Sequence, residues 1–152
     1  MNSLMINSLD TLRQAANLAR DAEGKECDIE FNKVTRTVTL SLWQCDGQMA
    51  KYRHKVWFVW DKIEPRRRLL LILRSVDDFS IEREKGACRE CFNIGDIRRH
   101  DLNELRVLTY SGIMLHARTR SIDGELSETN DVDYDRPCIS RVFSLRQPVG
   151  AE

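Results

Sequence analysis

The sequence predicts an α+β fold in which an N-terminal helix and one short later helix pack on a mainly antiparallel sheet of about six or seven strands. Three observations predict this class. Apolar residues recur at helical spacing after Ser8, two runs within 35–60 alternate between apolar and polar, and short apolar runs follow between turn residues. The helices are expected to cover one face of the sheet. A chain of 152 residues is expected to form a single domain over residues 1–152.

The N-terminal helix is predicted to begin after Ser8 and to run to the residue before Gly24. Ser8 is a favourable N-cap because its hydroxyl accepts a hydrogen bond from a free backbone N–H of the first turn. Leu9, Leu12 and Ala16 recur at helical spacing, and Gly24 supplies the left-handed residue that often ends a helix. The apolar side of this helix is expected to lie across the sheet.

Two alternating runs, Thr35–Gln44 and Lys51–Trp60, are predicted to pair as a hairpin. The first run directs three apolar residues to one face, namely Val38, Leu40 and Leu42. The second run directs five residues to that face, namely Tyr52, His54, Val56, Phe58 and Trp60. Because the two apolar faces must match, the loop is predicted to contain an odd number of residues, Asp46–Gln48.

This register predicts a basic outer face that carries tryptophan. It places Trp43 opposite Lys51, Ser41 opposite Arg53, Thr39 opposite Lys55 and Thr37 opposite Trp57. With the three arginines that precede the next apolar run, the predicted binding surface is Trp43, Lys51, Arg53, Lys55, Trp57, Arg66, Arg67 and Arg68. Such cations contact phosphates while tryptophan stacks on an exposed base. The alternative interpretation is the ordinary solvated face of an antiparallel sheet.

The remaining strands are predicted to be short. They are a first strand at Cys27–Phe31, a central strand covered on both faces at Leu69–Leu73, and further strands at Phe79–Glu84 and Ile139–Leu145. After Asp101 we favour a short helix that carries Leu102, Leu105 and Leu108. The alternative for that segment is a strand over 105–110 that continues into 113–120.

The formal net charge is zero, but the charges are unevenly distributed. Residues 33–74 hold ten Lys or Arg against three acids, a net charge of +7, whereas residues 121–135 hold six acids and no base. The second segment is almost without apolar residues and is therefore predicted to be an exposed acidic loop. This polarity favours complementary self-association or recognition of a charged partner.

Five cysteines form an odd set in a chain large enough to fold on its core, so they are expected to be reduced. The start lacks the plan of a secretory signal, and no apolar stretch is long enough for a membrane span, so a cytoplasmic protein is expected. Cys88 and Cys91 have the spacing of a zinc-ligand pair, which His100, His116 or Cys138 would complete. Two reduced cysteines in a turn is the preferred interpretation, and no metal or cofactor is expected.

No catalytic signature accompanies these features. The three histidines lie in no nucleophile motif, and the seven glycines form no phosphate-binding loop. We therefore expect a non-catalytic intracellular protein-interaction module, such as an adaptor, chaperone or immunity-like partner, that binds another protein or a second copy of itself. The alternatives are a single-stranded nucleic-acid-binding domain that uses the basic face, and a small zinc-stabilised module. An enzyme with a site assembled from scattered residues stays open.

Overall fold

The computed structural model describes residues 2–87 and 90–151 of the chain. Within these residues the fold is mainly β, with one α-helix, one 3-10 helix and ten strands. In chain order the elements are β1 Ser3–Ile6, α1 Leu9–Ala19, β2 Glu23–Asn32, β3 Thr37–Cys45, the 3-10 helix Gly47–Met49, β4 Lys51–Val56, β5 Val59–Leu73, β6 Asp78–Arg83, β7 Cys91–Asp101, β8 Glu104–Thr109, β9 Ile113–Arg118 and β10 Gly124–Phe143. The N-terminal helix and the antiparallel sheet are confirmed, but the expectation of six or seven strands is wrong.

The ten strands form one antiparallel sheet. The strand order is β1-β10-β5-β3-β2-β7-β8-β9-β6, and β4 pairs with the first part of β5. Helix α1 contacts β7, in the middle of this order, and also β1, at one end of it. The sheet therefore curls around the helix instead of lying flat beneath it, in keeping with the twist of large sheets.

Helix α1 begins as predicted and ends earlier than predicted. The Ser8 hydroxyl accepts a hydrogen bond from the Thr11 backbone N–H at 3.2 Å, and the Thr11 hydroxyl accepts one from the Ser8 N–H at 3.0 Å. The helix ends at Ala19 because Asp21 adopts a left-handed φ of 65° and its N–H donates to the carbonyl of Ile94 in β7. This bond turns the chain into β2.

Gly24 does not end the helix but lies within β2. A Cβ at this position would lie 2.5 Å from Cζ of Phe92, so the glycine is needed where β2 and β7 approach closely. The predicted strand Cys27–Phe31 is the second half of β2, after a register shift between Gly24 and Ile29.

The core is one cluster between α1 and the sheet. The alanine-rich face of α1 packs there. The fully buried residues of β3 are those predicted, namely Val38, Leu40 and Leu42. The central position of Leu69–Leu73 is also confirmed, because β5 lies between β3 and β10. Leu69, Leu71 and Leu73 are buried, whereas the intervening residues are half-buried.

The predicted hairpin is wrong, because β3 pairs with β5 and not with the second alternating run. The register joins Leu42 to Leu69 and Val38 to Leu73, which places leucines against the apolar face of β3. The second run is split at Trp57, which has a φ of 49°, so that β4 turns back on the start of β5. Val56 and Phe58, predicted to face the core, are therefore exposed.

The predicted acidic loop is also wrong. Residues 124–135 lie within β10, which pairs with β5 in three stretches, 124–128, 132–133 and 138–143, separated by register shifts after Glu128 and after Asp133. Leu126 and Ser127 are buried in the sheet. Acids of this strand are paired with arginines in or next to β5, since Arg68 lies 3.1 Å from Asp131 and Arg74 lies 3.0 Å from Glu125. The strand predicted at Ile139–Leu145 begins inside β10, which ends at Phe143.

The second predicted helix is absent from the described residues, and the segment is strand, as in the alternative, but β8 and β9 are two strands that pair antiparallel across a turn. Asp101 caps a turn instead of a helix, since its carboxylate accepts the Asn103 backbone N–H at 2.7 Å. The β7–β8 hairpin then buries Leu105 and Val107 on one face. The strand predicted at Phe79–Glu84 corresponds to β6, which pairs with β9.

One disulfide contradicts the expectation that the cysteines are reduced. Cys45 at the end of β3 is bonded to Cys138 in β10, with their Cα atoms 5.9 Å apart. The two residues lie opposite Arg66 and Glu64, near neighbours in β5, although 93 positions separate them in the chain. The spacing of cysteines along the chain does not show that two of them are close in the folded sheet. Within residues 2–87 and 90–151, no helix is long and apolar enough to cross a membrane.

Candidate functional site

The residues of the predicted binding surface are not brought together on one face. Trp43 lies opposite Arg68 in the body of the sheet. Lys51, Arg53 and Lys55 lie on β4, and Trp57 forms the turn that follows. The predicted surface is thus divided into two parts. One is the arginine-rich segment Arg66–Arg68 of β5 beside Trp43, which we call the body segment, and the other is the region around β4.

The arginines of the body segment are paired with acids of the same chain. Arg66 contacts Glu23 at 3.2 Å, Arg67 contacts Asp46 at 2.8 Å, and Arg68 contacts Asp131 at 3.1 Å. Arg68 also donates to the Ser41 hydroxyl at 2.7 Å. A guanidinium held by an internal carboxylate is less available for a phosphate or an external acid.

The acids of β10 complete this internal neutralisation. Arg74 lies 3.0 Å from Glu125 and 3.6 Å from Asp123, while Asp133 is the cross-strand partner of Arg66. Hydrogen bonds from Ser3 and then from Arg74 hold the pKa of Glu125 below its ordinary value. Two arginines of the basic segment, Arg68 and Arg74, are therefore neutralised by carboxylates of the acidic segment.

A polar cavity of about 420 Å³ lies beside Trp43. Its other walls include Lys25, Arg66, Asp133 and Arg136, so cations and acids face each other across it. Because Arg66 is already paired and the charges are mixed, this cavity presents no single ligand chemistry.

The outer parts of three strands form a ribbon that we call the arm, consisting of residues 51–64 and 138–143. It contains β4, the first part of β5 and the last part of β10, paired in the order β4-β5-β10. Among the described residues, the buried core cluster has no member from the arm. The arm therefore lies outside the part of the sheet that packs on α1.

One face of the arm is built of three cross-strand rows. Residues directly opposite one another share a face in an antiparallel sheet, which defines the rows. The rows are Val56, Val59 and Phe143, then Arg53, Asp61 and Arg141, and then Lys51, Ile63 and Ile139. A charged row thus runs between two rows of mainly apolar side chains.

The charged row holds a partly buried carboxylate between two cations. Asp61 accepts a hydrogen bond from Arg53 at 3.1 Å and is only 7% exposed. Arg141 lies opposite Asp61 on the other side and is exposed. The row therefore alternates in sign and ends in an arginine at the outer strand.

Large apolar side chains are exposed along the arm. Trp57 is 83% exposed, Phe143 is 68% exposed and Ile139 is 60% exposed. The rings of Phe58 and Phe143 lie 6.0 Å apart, joining the turn to the end of β10. Large apolar side chains exposed on one ribbon in this way indicate a candidate interaction site in a folded protein.

The other face of the arm is more self-contained. The His54 and Trp60 rings meet edge to face at 4.8 Å, and Nε2 of His54 lies 2.7 Å from the Trp57 carbonyl oxygen. Lys62 lies 2.7 Å from Glu64, and this hydrogen bond raises the pKa of Lys62 above its ordinary value. These contacts pair His54, Lys62 and Glu64 within the arm.

Sequence reasoning identified Lys51, Arg53 and Trp57 but missed the β10 side of the arm. Ile139, Arg141 and Phe143 were recognised only as part of a last strand. Their alternation signalled a strand with one apolar face, but nothing local to the segment showed that this face stays uncovered.

The histidines, cysteines and acids form no metal-binding group within residues 2–87 and 90–151. There is no group of three His, Cys, Asp or Glu side chains placed to hold a metal. Cys88 of the proposed zinc pair lies outside the described residues, and Cys138, one of its suggested partners, is in the disulfide. Both ring nitrogens of His116 face carboxylates, Glu82 at 2.7 Å and Glu104 at 3.1 Å. Neither nitrogen is free to activate a nucleophile.

Comparison with known proteins adds no relative, since no family model, curated protein or solved structure matches the chain.

Proposed function

We propose that the protein is a non-catalytic interaction module that docks a partner protein on the arm. The observation that carries this proposal is the run of exposed apolar residues on a ribbon outside the core. Burying Trp57, Phe143 and Ile139 against a partner would remove a large apolar area from water, which is the main driving force of association. An adaptor, a chaperone or an immunity-like protein would use such a surface.

The charge of the arm specifies the chemistry of the partner. The arm holds five Lys or Arg against two acids, a net charge of +3, although the whole chain is neutral. Arg66, Arg67 and Arg68 are paired with acids of the same chain, whereas Lys51, Lys55 and Arg141 of the arm form no ion pair within residues 2–87 and 90–151. The proposed partner is therefore a protein with acidic residues around an apolar contact.

Site-specific photo-crosslinking in the native host tests this proposal. A photoreactive phenylalanine analogue would replace Phe143 in the arm and, as a matched control, Val34, which is 93% exposed in the turn between β2 and β3. We expect protease-sensitive adducts from position 143, none from position 34, and loss of the adduct when Arg53→Glu and Arg141→Glu are combined. Absence of arm-specific adducts would contradict the proposal, as would adducts formed only with a second copy of this chain.

A second candidate function is single-stranded nucleic-acid binding by the same arm. Trp57 is free for stacking, and Lys51, Arg53, Lys55 and Arg141 lie nearby. The exposed aliphatic residues and the neutral chain favour a protein partner instead. A fluorescent oligothymidylate titration separates the two, because nucleic-acid binding weakens steeply with salt and is reduced by Trp57→Ala.

Cytoplasmic residence is also a proposal, and the disulfide provides its test. Cytosolic thiols are usually kept reduced, whereas the structure joins Cys45 to Cys138, so cytoplasmic residence requires that this bond be open inside the cell. Rapid acid quenching followed by alkylation and mass spectrometry reports their state. A fully oxidised pair in freshly quenched cells would contradict the proposed compartment.

A further inference from the structure

The outer edge of the arm is a strand edge without a partner in the described part of the chain. β1 covers the same side of β10 only at residues 124–127, and no strand pairs with that side of residues 138–143. The opposite edge of the arm differs, because β4 carries three cations and Tyr52 bridges Ala151 of the C-terminal segment. Cations and covering segments are the usual protection of an edge strand, so the β10 edge is the less protected one.

The backbone of this edge is oriented to accept another strand. The Ser144 N–H donates to the Phe58 carbonyl at 2.7 Å, so residue 144 directs its backbone groups towards β5. Because this direction alternates along a strand, and residues 138–143 pair without a register shift, Ile139, Arg141 and Phe143 direct their N–H and C=O groups outwards. These three residues offer the hydrogen bonds for an added strand.

The same three residues also bring the rows of the arm to that edge. Each row would gain a fourth member from a strand laid alongside β10. Next to Arg141 the alternating signs of the charged row favour an acid, whereas next to Ile139 and Phe143 an apolar residue continues the row. The edge therefore specifies a short sequence pattern.

We propose that residues 138–143 bind an extended segment of the partner as an added antiparallel strand with the pattern apolar-x-acid-x-apolar. The acid pairs with Arg141, and the two apolar residues pack against Ile139 and Phe143. Main-chain hydrogen bonds hold the segment, and the alternate side chains select it, as in other cases of strand addition. This proposal rests on the proposed function, since it names the form in which the protein partner engages the arm.

A labelled peptide of sequence Thr-Val-Thr-Glu-Thr-Ile-Thr tests whether the edge selects an acidic residue opposite Arg141. We expect saturable binding to the intact chain, measured by fluorescence anisotropy. Arg141→Glu is expected to weaken binding at least about tenfold. A peptide with Lys in place of Glu is expected to bind poorly to the intact chain and to recover affinity for Arg141→Glu. The matched protein control, Val34→Ser, leaves binding unchanged.

N-methylated peptides test whether main-chain hydrogen bonds hold the added strand. In the proposed register the Glu N–H points towards β10, whereas the N–H groups of the adjacent Thr residues point away. Methylation of the Glu nitrogen is therefore expected to abolish binding, and methylation of the following Thr nitrogen to leave it intact. Equal binding of both peptides, or no binding of the unmodified peptide, would overturn strand addition. If arm-specific protein crosslinks persisted in that case, the docking function would stand and only the strand mode would fail.

Discussion

The two ends of the β5–β10 pair show how one pair of strands serves two purposes. At the inner end, Leu69–Leu73 pairs with residues 124–128, and its alternate leucines are buried under α1. At the outer end, residues 59–64 pair with residues 138–143 in the same antiparallel manner, yet Ile139 and Phe143 are exposed. Both ends are paired, but burial differs, because the inner end belongs to the core cluster that also contains α1 residues and the outer end does not.

The segment between the two ends separates them electrostatically. Arg66, Arg67 and Arg68 are paired there with acids from three different parts of the chain. Both register shifts of β10 also fall there, after Glu128 and after Asp133. A buried leucine ladder thus gives way to an ion-paired segment and then to an exposed ribbon. The inner end is expected to determine stability and the outer end to determine binding.

The largest expected effect is the contrast between a leucine of the inner end and an isoleucine of the outer end. Leu71→Ala removes a fully buried side chain and is expected to lower the free energy of unfolding by about 3 to 4 kcal/mol. Ile139→Ala is expected to cost less than about 1 kcal/mol, because that side chain is already in contact with water. Urea denaturation of the two variants measures the contrast, and equal losses would break it.

The disulfide between the ends is expected to have the next largest effect. Replacing both Cys45 and Cys138 by Ala is expected to lower the free energy of unfolding by about 2 to 3 kcal/mol, since the bond closes a long loop in the unfolded chain. Cys27→Ala, at an exposed free thiol, is the matched control and should leave stability unchanged. Denaturation of oxidised protein provides the comparison. A double variant as stable as the parent would show that the bond between Cys45 and Cys138 does not stabilise the fold.

The ion-paired segment is expected to contribute less. Asp46→Asn leaves the partly buried Arg67 without its carboxylate and is expected to cost about 1 kcal/mol. Asp131→Asn breaks the more exposed pair with Arg68 and is expected to change stability by less than about 0.5 kcal/mol. A larger loss for the exposed pair, measured by thermal or urea unfolding, would contradict the role assigned to burial here.

The smallest expected effect is a loss of stability in acid. Hydrogen bonds lower the pKa of Glu125. At Glu104 burial alone would raise the pKa, but the hydrogen bonds from Arg106 and His116 together outweigh it and lower the pKa. A carboxyl whose pKa is lowered on folding contributes stability that is present above its unfolded pKa and is lost as pH falls through the folded value. Stability should therefore decline below about pH 4.5. Urea midpoints at several pH values measure this, and Glu104→Gln with Glu125→Gln should flatten the decline.

Local features of the fold were readable from the sequence because their causes are local. Ser8 identified the start of α1 through its side-chain geometry, and the alternation of Val38, Leu40 and Leu42 identified a strand and its buried face. The continuous run Leu69–Leu73 identified a central strand for the same reason. Each of these depends on the residue itself and on neighbours a few positions away.

Partner choice was not readable in the same way. Val38, Leu40 and Leu42 fit the face of any apolar strand, and only the folded sheet shows that β5 pairs there instead of β4. The acidic residues of β10 predicted a loop when considered alone, because the arginines that neutralise them lie more than 50 positions away in the chain. Long-range complementarity overrides local propensity in both cases.

Only the β4 side of the candidate site was predicted from the sequence. The chemistry of β4 and its turn follows directly from the residues present, namely the cations Lys51 and Arg53 and the tryptophan that follows. Three features depend on the tertiary fold: β10 completes the arm, Cys45 is bonded to Cys138, and the Ile139 edge has no strand partner within residues 2–87 and 90–151. The physical reason is that exposure depends on where α1 and the neighbouring strands end, and no local pattern records those limits.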